Sequence, residues 1–151
     1  MLSQASAAPD SVSELLGADH GRLDFVLADV KRLLAAGQLA LASTRFAAFR
    51  DDLERHIAAE EEVLFPAFER SSGLVGPIHV MREEHLEIRR LMAEVAASLA
   101  DGAAGCRATP LAALTARIFA HNGKEERILY PAMDRAGVAA AVWEELAHRI
   151  G

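Results

Sequence analysis

The chain has 151 residues, 52% of them apolar and 25% charged, with a formal charge of −6. That length supports a single domain with a sizeable buried core. Abundant alanine with only 10 Gly and 5 Pro favours helix over a strand-and-turn fold. Aromatic residues at 5% and a net negative charge argue against a nucleic-acid partner, since both a stacking platform and an attracting field are missing. The single cysteine, Cys106, excludes an internal disulfide framework and a thiolate metal cluster, and suits a reducing compartment. No apolar run approaches the length of a membrane span, and residues 1–13 do not read as a secretory leader. The expectation is a cytoplasmic, all-α protein with no membrane partner, whose unusual feature is six histidines.

In chain order, residues 1–10 read as a flexible N-terminus and 11–151 as one helical domain. Ser11 and Glu14 form a candidate capping box. The first stripe follows as Val12, Leu16, His20, Leu23, Leu27, Val30 and Leu34, with Gly37 as its stop signal. The second stripe is Phe46, Phe49, Leu53, His56, Glu60, Val63 and Ala67. The third is Ile78, Met81, His85, Ile88, Met92, Val95 and Leu99, after which Gly102 and Gly105 mark a loop. Thr109 and Pro110 read as N-cap and first residue of the fourth, which runs Leu111, Leu114, Ile118, His121, Glu125, Ile128 and Ala132. Each stripe steps by three or four residues, as one face of a helix requires. Pro66 and Pro131 predict a bend or break, with 67–70 and 132–135 as continuing or redirected turns. A short fifth helix is expected over 139–150, packing Val142, Trp143 and Leu146 onto the bundle.

A spacing of 65 residues recurs without a gap. It pairs His20 with His85, Gly37 with Gly102, Thr44 with Thr109, His56 with His121, Glu60 and Glu61 with Glu125 and Glu126, Phe65 with Tyr130, and Pro66 with Pro131. This is a duplicated helical hairpin, which predicts an up-down-up-down four-helix bundle.

The repeat sorts the histidines. His20, His56, His85 and His121 are paired and lie on core-facing stripes, whereas His79 and His148 have no counterpart and are expected at the surface. Glu60 and Glu125 each follow a histidine by four residues, so each pair points the same way. One such pair is ordinarily an exposed ion pair. Four imidazoles and two carboxylates converging in one core are a different matter, because buried carboxylates need a cation and no Lys or Arg lies on a stripe. A bound metal supplies that charge. The donors are too many for one tetrahedral zinc and too nitrogen-rich for magnesium or calcium; they suit iron, or manganese as the weaker choice. The pseudo-twofold repeat places His20 and His56 on one ion, His85 and His121 on the other, and Glu60 and Glu125 as bridges. Glu61, Glu62, Glu83, Glu84, Glu87 and Glu126 read as a solvated face, with Glu61 and Glu126 also candidates to accept the ligands' outer N–H groups. Tyr130 reads as core packing opposite Phe65, with hydrogen bonding near the site as the minor alternative, and Met81 as a core methionine.

These segments resemble the hemerythrin-like family, the HHE cation-binding domain. The resemblance rests on Asp-His-Gly-Arg-Leu-Asp around His20, on Glu84-His85, and on the twice-used His-x-x-x-Glu-Glu-x-x-Leu-aromatic-Pro beginning at His56 and His121. It spans roughly residues 12–136. It implies a four-helix bundle holding a non-haem di-iron centre, with His20, His56, Glu60, His85, His121 and Glu125 as ligands and a small gaseous or peroxide ligand as partner. Oxygen-carrying hemerythrins have an extra histidine where this chain has Met81, and place their last carboxylate one residue further on, at the position of Glu126. The cysteine segment of the family's di-iron repair proteins has no equivalent here. The Glu-x-x-His of ferritin-like proteins occurs only at Glu145 and His148, off the stripes. The expected function is binding of dioxygen, nitric oxide or peroxide at two Glu-bridged irons, with zinc, like manganese, a poorer fit. The alternatives are a di-iron oxidase or peroxide-decomposing enzyme, and an iron-sensing or iron-holding regulatory module. Trp143 on the terminal stretch leaves room for a homodimer.

Overall fold

The computed structural model describes residues 11–101 and 107–150. The expected flexible N-terminus at 1–10 and the loop glycines Gly102 and Gly105 lie outside the described residues. The described residues form seven α-helices: α1 (Val12–Ala35), α2 (Leu39–Ala59), α3 (Phe65–Ser72), α4 (Gly76–Ala100), α5 (Ala108–Lys124), α6 (Tyr130–Arg135) and α7 (Val138–Ile150). No strand occurs among the described residues.

Local chemistry sets the helix limits. Ser11 Oγ accepts the Glu14 N–H at 3.2 Å, so the expected N-cap of α1 is present. Asp134, at the far end of the chain, reinforces it by accepting the Val12 N–H at 2.7 Å and the Ser13 N–H at 3.2 Å. The α1 C-terminus closes on Gly37 at φ +73°, a conformation that a side chain would strain, with the Gln38 N–H returned to the Leu33 carbonyl at 2.9 Å. Helix α5 starts earlier than its sequence signals suggest. Its N-cap is Arg107, so Thr109 and Pro110 fall inside the first turn. A proline is tolerated there because the first four N–H groups have no intrahelical partner.

Pro66 and Pro131 do not break their helices. Each is preceded by a five-residue π-helical turn, Glu60–Leu64 and Glu125–Leu129, through which the chain passes without interruption. The turns close with bonds to the fifth residue back, Phe65 N–H to the Glu60 carbonyl and Tyr130 N–H to the Glu125 carbonyl. Widening the turn makes room for the pyrrolidine ring, which in a regular helix would clash with the carbonyl four residues earlier. The extra residue also shifts the helical phase. Ile128, expected in the core, is 68% exposed, and Leu129 is buried in its place. Likewise Leu64 is fully buried where Val63 was expected to be, Val63 being only half-buried.

Helices α1, α2, α4 and α5 pack in a closed ring, each against the next and α5 against α1. The interior holds two apolar blocks. One runs from Leu23 and Leu53 to Ile88 and Ile118; the other gathers Leu16, Leu64, Phe65, Met81, Leu129 and Leu146. Met81 is thus a core methionine, as its place on the third stripe predicts. Helix α7 closes the second block, packing on α1, α2, α3 and α6 with Leu146 buried and Val142 and Trp143 partly so. The four paired histidines occupy the layer between the blocks, while His79 and His148 are exposed.

The π-turn phase is testable by stability. Leu129→Ala should destabilise the chain by about 2–5 kcal/mol, and Ile128→Ala should change stability by no more than about 0.5 kcal/mol. Denaturant unfolding of the two variants reads the difference; a regular α-helical phase would reverse the order.

Candidate metal centre

Every ring element delivers one imidazole to the polar layer. His20 comes from α1, His56 from the last turn of α2, His85 from α4 and His121 from α5. Glu60 and Glu125 open the two π-helical turns and are completely buried. The structure brings all six expected residues together.

The donor atoms fall into two overlapping groups. Glu60, His85, His121 and Glu125 each offer an atom within 4.8 Å of the others, as do His20, His56 and Glu125. The histidine pairing thus follows the repeat, but Glu125 alone belongs to both groups. Its Oε1 lies 3.3 Å from His20 Nε2 and 3.2 Å from His121 Nε2. Glu60 Oε1 lies 3.2 Å from His56 Nε2 and 3.6 Å from His85 Nε2. Despite this proximity, Glu60 Oε1 and both carboxylate oxygens of Glu125 are buried without a hydrogen-bond partner. The spacings are those of ligands aimed at a common point: two donors at right angles on an ion about 2.1 Å away stand ~3 Å apart.

Outside this layer each imidazole meets a carboxylate through Nδ1. His20 pairs with Glu126 at 3.2 Å, His56 with Asp19 at 2.7 Å, His85 with Glu61 at 2.9 Å and His121 with Glu84 at 2.9 Å. A carboxylate only accepts, so each Nδ1 carries the proton and each Nε2 is left to face the interior. His85 Nε2 and His121 Nε2 are 3.1 Å apart. With both Nδ1 protonated, that contact brings two lone pairs together unless a cation, either a proton or a metal ion, stands between them.

Three of the four outer carboxylates are themselves held by cations. Arg22 reaches Asp19 at 2.9 Å, Arg89 reaches Glu61 at 3.1 Å, and Arg117 reaches Glu84 at 3.2 Å, where Lys124 also bonds. Glu61 and Glu126 are the acceptors they were expected to be. Glu84 is not part of a solvated face; it is buried against His121. Asp19 was missed altogether, although the signal was present: Asp19 and Glu84 are 65 residues apart, and each immediately precedes a paired histidine. Tyr130 is buried in the core, and its minor reading, hydrogen bonding near the site, also holds. Its hydroxyl donates to Glu60 Oε2 at 3.0 Å and lies 3.2 Å from His20 Nε2.

Charge in the metal-free layer is carried by protons. Burial opposes a charged His56, but Glu60 and Asp19 outweigh it and push its pKa up to about 10. Burial likewise opposes a charged His121, yet Glu125 and Glu60 raise it to about 9. Burial and the facing Glu125 hold Glu60 above the ordinary carboxylate range. For Glu125 burial is outweighed by the Glu60 carboxyl and His121, and it stays well below that range. Two buried carboxylates and their imidazoles therefore compete for protons that a metal ion would displace.

The hemerythrin HHE cation-binding domain matches residues 11–133. The chain belongs to this family. No curated protein and no solved structure matches it at a significant level. As an HHE domain the chain has a donor set suited to cations: imidazole nitrogens with fixed tautomers, and buried carboxylate oxygens with nothing else to bind.

Two measurements test this layer. His56 and His121 have pKa values raised above an ordinary value of about 6.5, so their protonation stabilises the metal-free fold fully below that pH. That stability is lost as pH climbs through about 9 and 10. Metal loading near pH 7 should accordingly release protons and strengthen as pH rises toward that window, read by calorimetry in buffers of different ionisation enthalpy. Asp19→Asn or Glu84→Gln should weaken metal binding about 10–100-fold, while Glu83→Gln on the exposed face should not, as measured by competition with a chelator.

Proposed function

We propose that the chain is a non-haem di-iron protein that binds dioxygen or a related small ligand, nitric oxide or peroxide, within an up-down-up-down four-helix bundle. The observation that carries this reading is the set of three buried carboxylate oxygens without partners, ringed by four imidazoles whose Nε2 atoms face inward. Burying an unpaired carboxylate costs several kcal/mol, so such atoms persist where a cation completes them. The closed ring of packed helices and the two equivalent π-turns support the duplicated-hairpin architecture.

His20, His56, Glu60, His85, His121 and Glu125 would hold the ions. Two iron ions would supply open coordination positions and redox equivalents toward a small oxidant. The protein residues supply the rest. Asp19, Glu61, Glu84 and Glu126 fix the tautomers and orient the rings. Phe65 stacks on His85 with centroids 5.7 Å apart and planes at 10°, helping keep the site dry and the ring rigid. Tyr130 places a buried hydroxyl proton beside Glu60 and His20. That proton donor is the one feature favouring the second reading, a di-iron oxidase or peroxide-decomposing enzyme, over reversible binding. Among the described residues no helix is long and apolar enough to cross a membrane. A cytoplasmic setting, where a lone cysteine stays reduced, completes the proposal.

Metal analysis with absorption spectra of iron-loaded protein, aerobic and anaerobic, tests both readings. The expected outcome is about two irons per chain and a band that changes with oxygen. Reversible change without turnover of oxygen or peroxide favours a binding protein; sustained turnover favours the enzyme. His56→Ala and Glu125→Ala should lose metal, and exposed His148→Ala should not. Equal loss in all three would contradict the site.

A further inference from the structure

The two halves of the centre come from one repeat, yet they differ at two places. The first is the aromatic residue beside the imidazoles. In the His85 half it is Phe65, a hydrocarbon face stacked on the ring. In the His20 half it is Tyr130, whose ring lies 5.6 Å from His20 and whose hydroxyl is 3.2 Å from His20 Nε2 and 3.5 Å from His56 Nε2. The hydroxyl stands in front of both inward nitrogens of that half and spends its proton on Glu60 Oε2 at 3.0 Å. As a result Glu60 keeps one unpartnered oxygen, whereas Glu125, whose repeat-related aromatic neighbour has no hydroxyl, keeps two. The second difference is in the outer carboxylates. Asp19, Glu61 and Glu84 are each clamped by arginine or lysine. Glu126, which orients His20, is 46% exposed, and its one ion pair among the described residues is with that histidine.

We infer that the two ion positions are unequal, that the His85–His121 position fills first, and that Tyr130 is the residue that sets the order. This rests on the metal-centre reading above and deepens it. The His85–His121 position has four donor residues, including both glutamates; Phe65 competes for none of them, and Tyr130, bonded to Glu60 Oε2, leaves Glu60 Oε1 without a partner. An ion entering between His20 and His56 has three donor residues and has to displace the hydroxyl from two nitrogens. It also relies on His20, the ligand whose outer support is held least firmly. Tyr130 acts here as a positioning residue: it withholds Glu60 Oε2 and screens the second pair of nitrogens without itself being a ligand.

The test is an anaerobic titration of the metal-free chain with Fe(II) alone, followed by native mass spectrometry and calorimetry. The wild-type chain should show a well-populated one-iron species before the two-iron species. Tyr130→Phe copies the residue that the other half already has, so the fold should tolerate it apart from the lost hydrogen bond to Glu60, and a single cooperative thermal unfolding transition of the metal-free variant checks that. In this variant the gap between the two stepwise affinities should narrow by roughly tenfold or more, the factor associated with one charge-assisted hydrogen bond. His20→Ala should retain one tightly held iron, and His121→Ala should lose the tight step. Two irons binding in a single step to the wild type would overturn the inference while leaving the di-iron reading intact. So would a second step that weakens in Tyr130→Phe, which would make the phenol oxygen a ligand and not a competitor. Failure to bind iron at all would overturn both.

Discussion

The structure depends on two carboxylates placed where water cannot reach them. Glu60 and Glu125 are completely buried between two apolar blocks, and three of their four oxygens have no hydrogen-bond partner. In a medium of low dielectric this arrangement is stable only with positive charge close by. Everything around the pair answers that demand. Three imidazoles approach within 3.2–3.3 Å and His85 within 3.6 Å, and in the absence of metal His56 and His121 are held as cations far above the pH at which histidine normally titrates. Those protons offset the carboxylates' charge without bonding three of their oxygens, and a metal ion would displace them.

The backbone contributes through the π-helical turns. Glu60 and Glu125 each begin one, and a proline follows immediately after each. In a regular helix the proline would disrupt the turn that carries these glutamates. The wider turn absorbs it and rotates the next buried leucine, Leu64 or Leu129, into the block that seals the site from below. π-turns are costly relative to α-helix and are found largely where function requires them. Here the same distortion occurs in both halves of the repeat, which ties it to the buried glutamates and not to an accident of packing.

Much of this was legible in the sequence because the duplication acts as an internal comparison. A polar residue recurring at the same register on two core-facing stripes is unlike one that occurs once, and this separated His20, His56, His85 and His121 from His79 and His148. The same logic reached Glu61 and Glu126. It stopped short of Asp19 and Glu84, because an acid beside a histidine falls about 100° away from the stripe and looks solvated. Only the tertiary packing shows that each bends back to a histidine on the neighbouring helix. The exposure of Ile128 was hidden for another reason: periodicity assumes a constant turn, and the π-turn inserts one residue into it. The donor role of Tyr130 is only the lesser reading of the sequence, since a Phe–Tyr match between the repeats looks like shared bulk while the chemistry lies in the single oxygen by which they differ.

The distribution of cations explains why the site calls for an exogenous charge. Arg22, Arg89, Arg117 and Lys124 all reach toward the centre, but each stops at an outer carboxylate. The imidazoles stand between those carboxylates and the glutamates, with one nitrogen committed to each side. A lysine or arginine on a stripe would have neutralised Glu60 and Glu125 permanently and stabilised the fold without metal. The arrangement found instead strengthens each imidazole as a donor from outside and leaves the innermost oxygens with no resident partner. The negative charge that remains inside is therefore a consequence of how the layers are stacked, and it lies where four Nε2 atoms and two carboxylates meet.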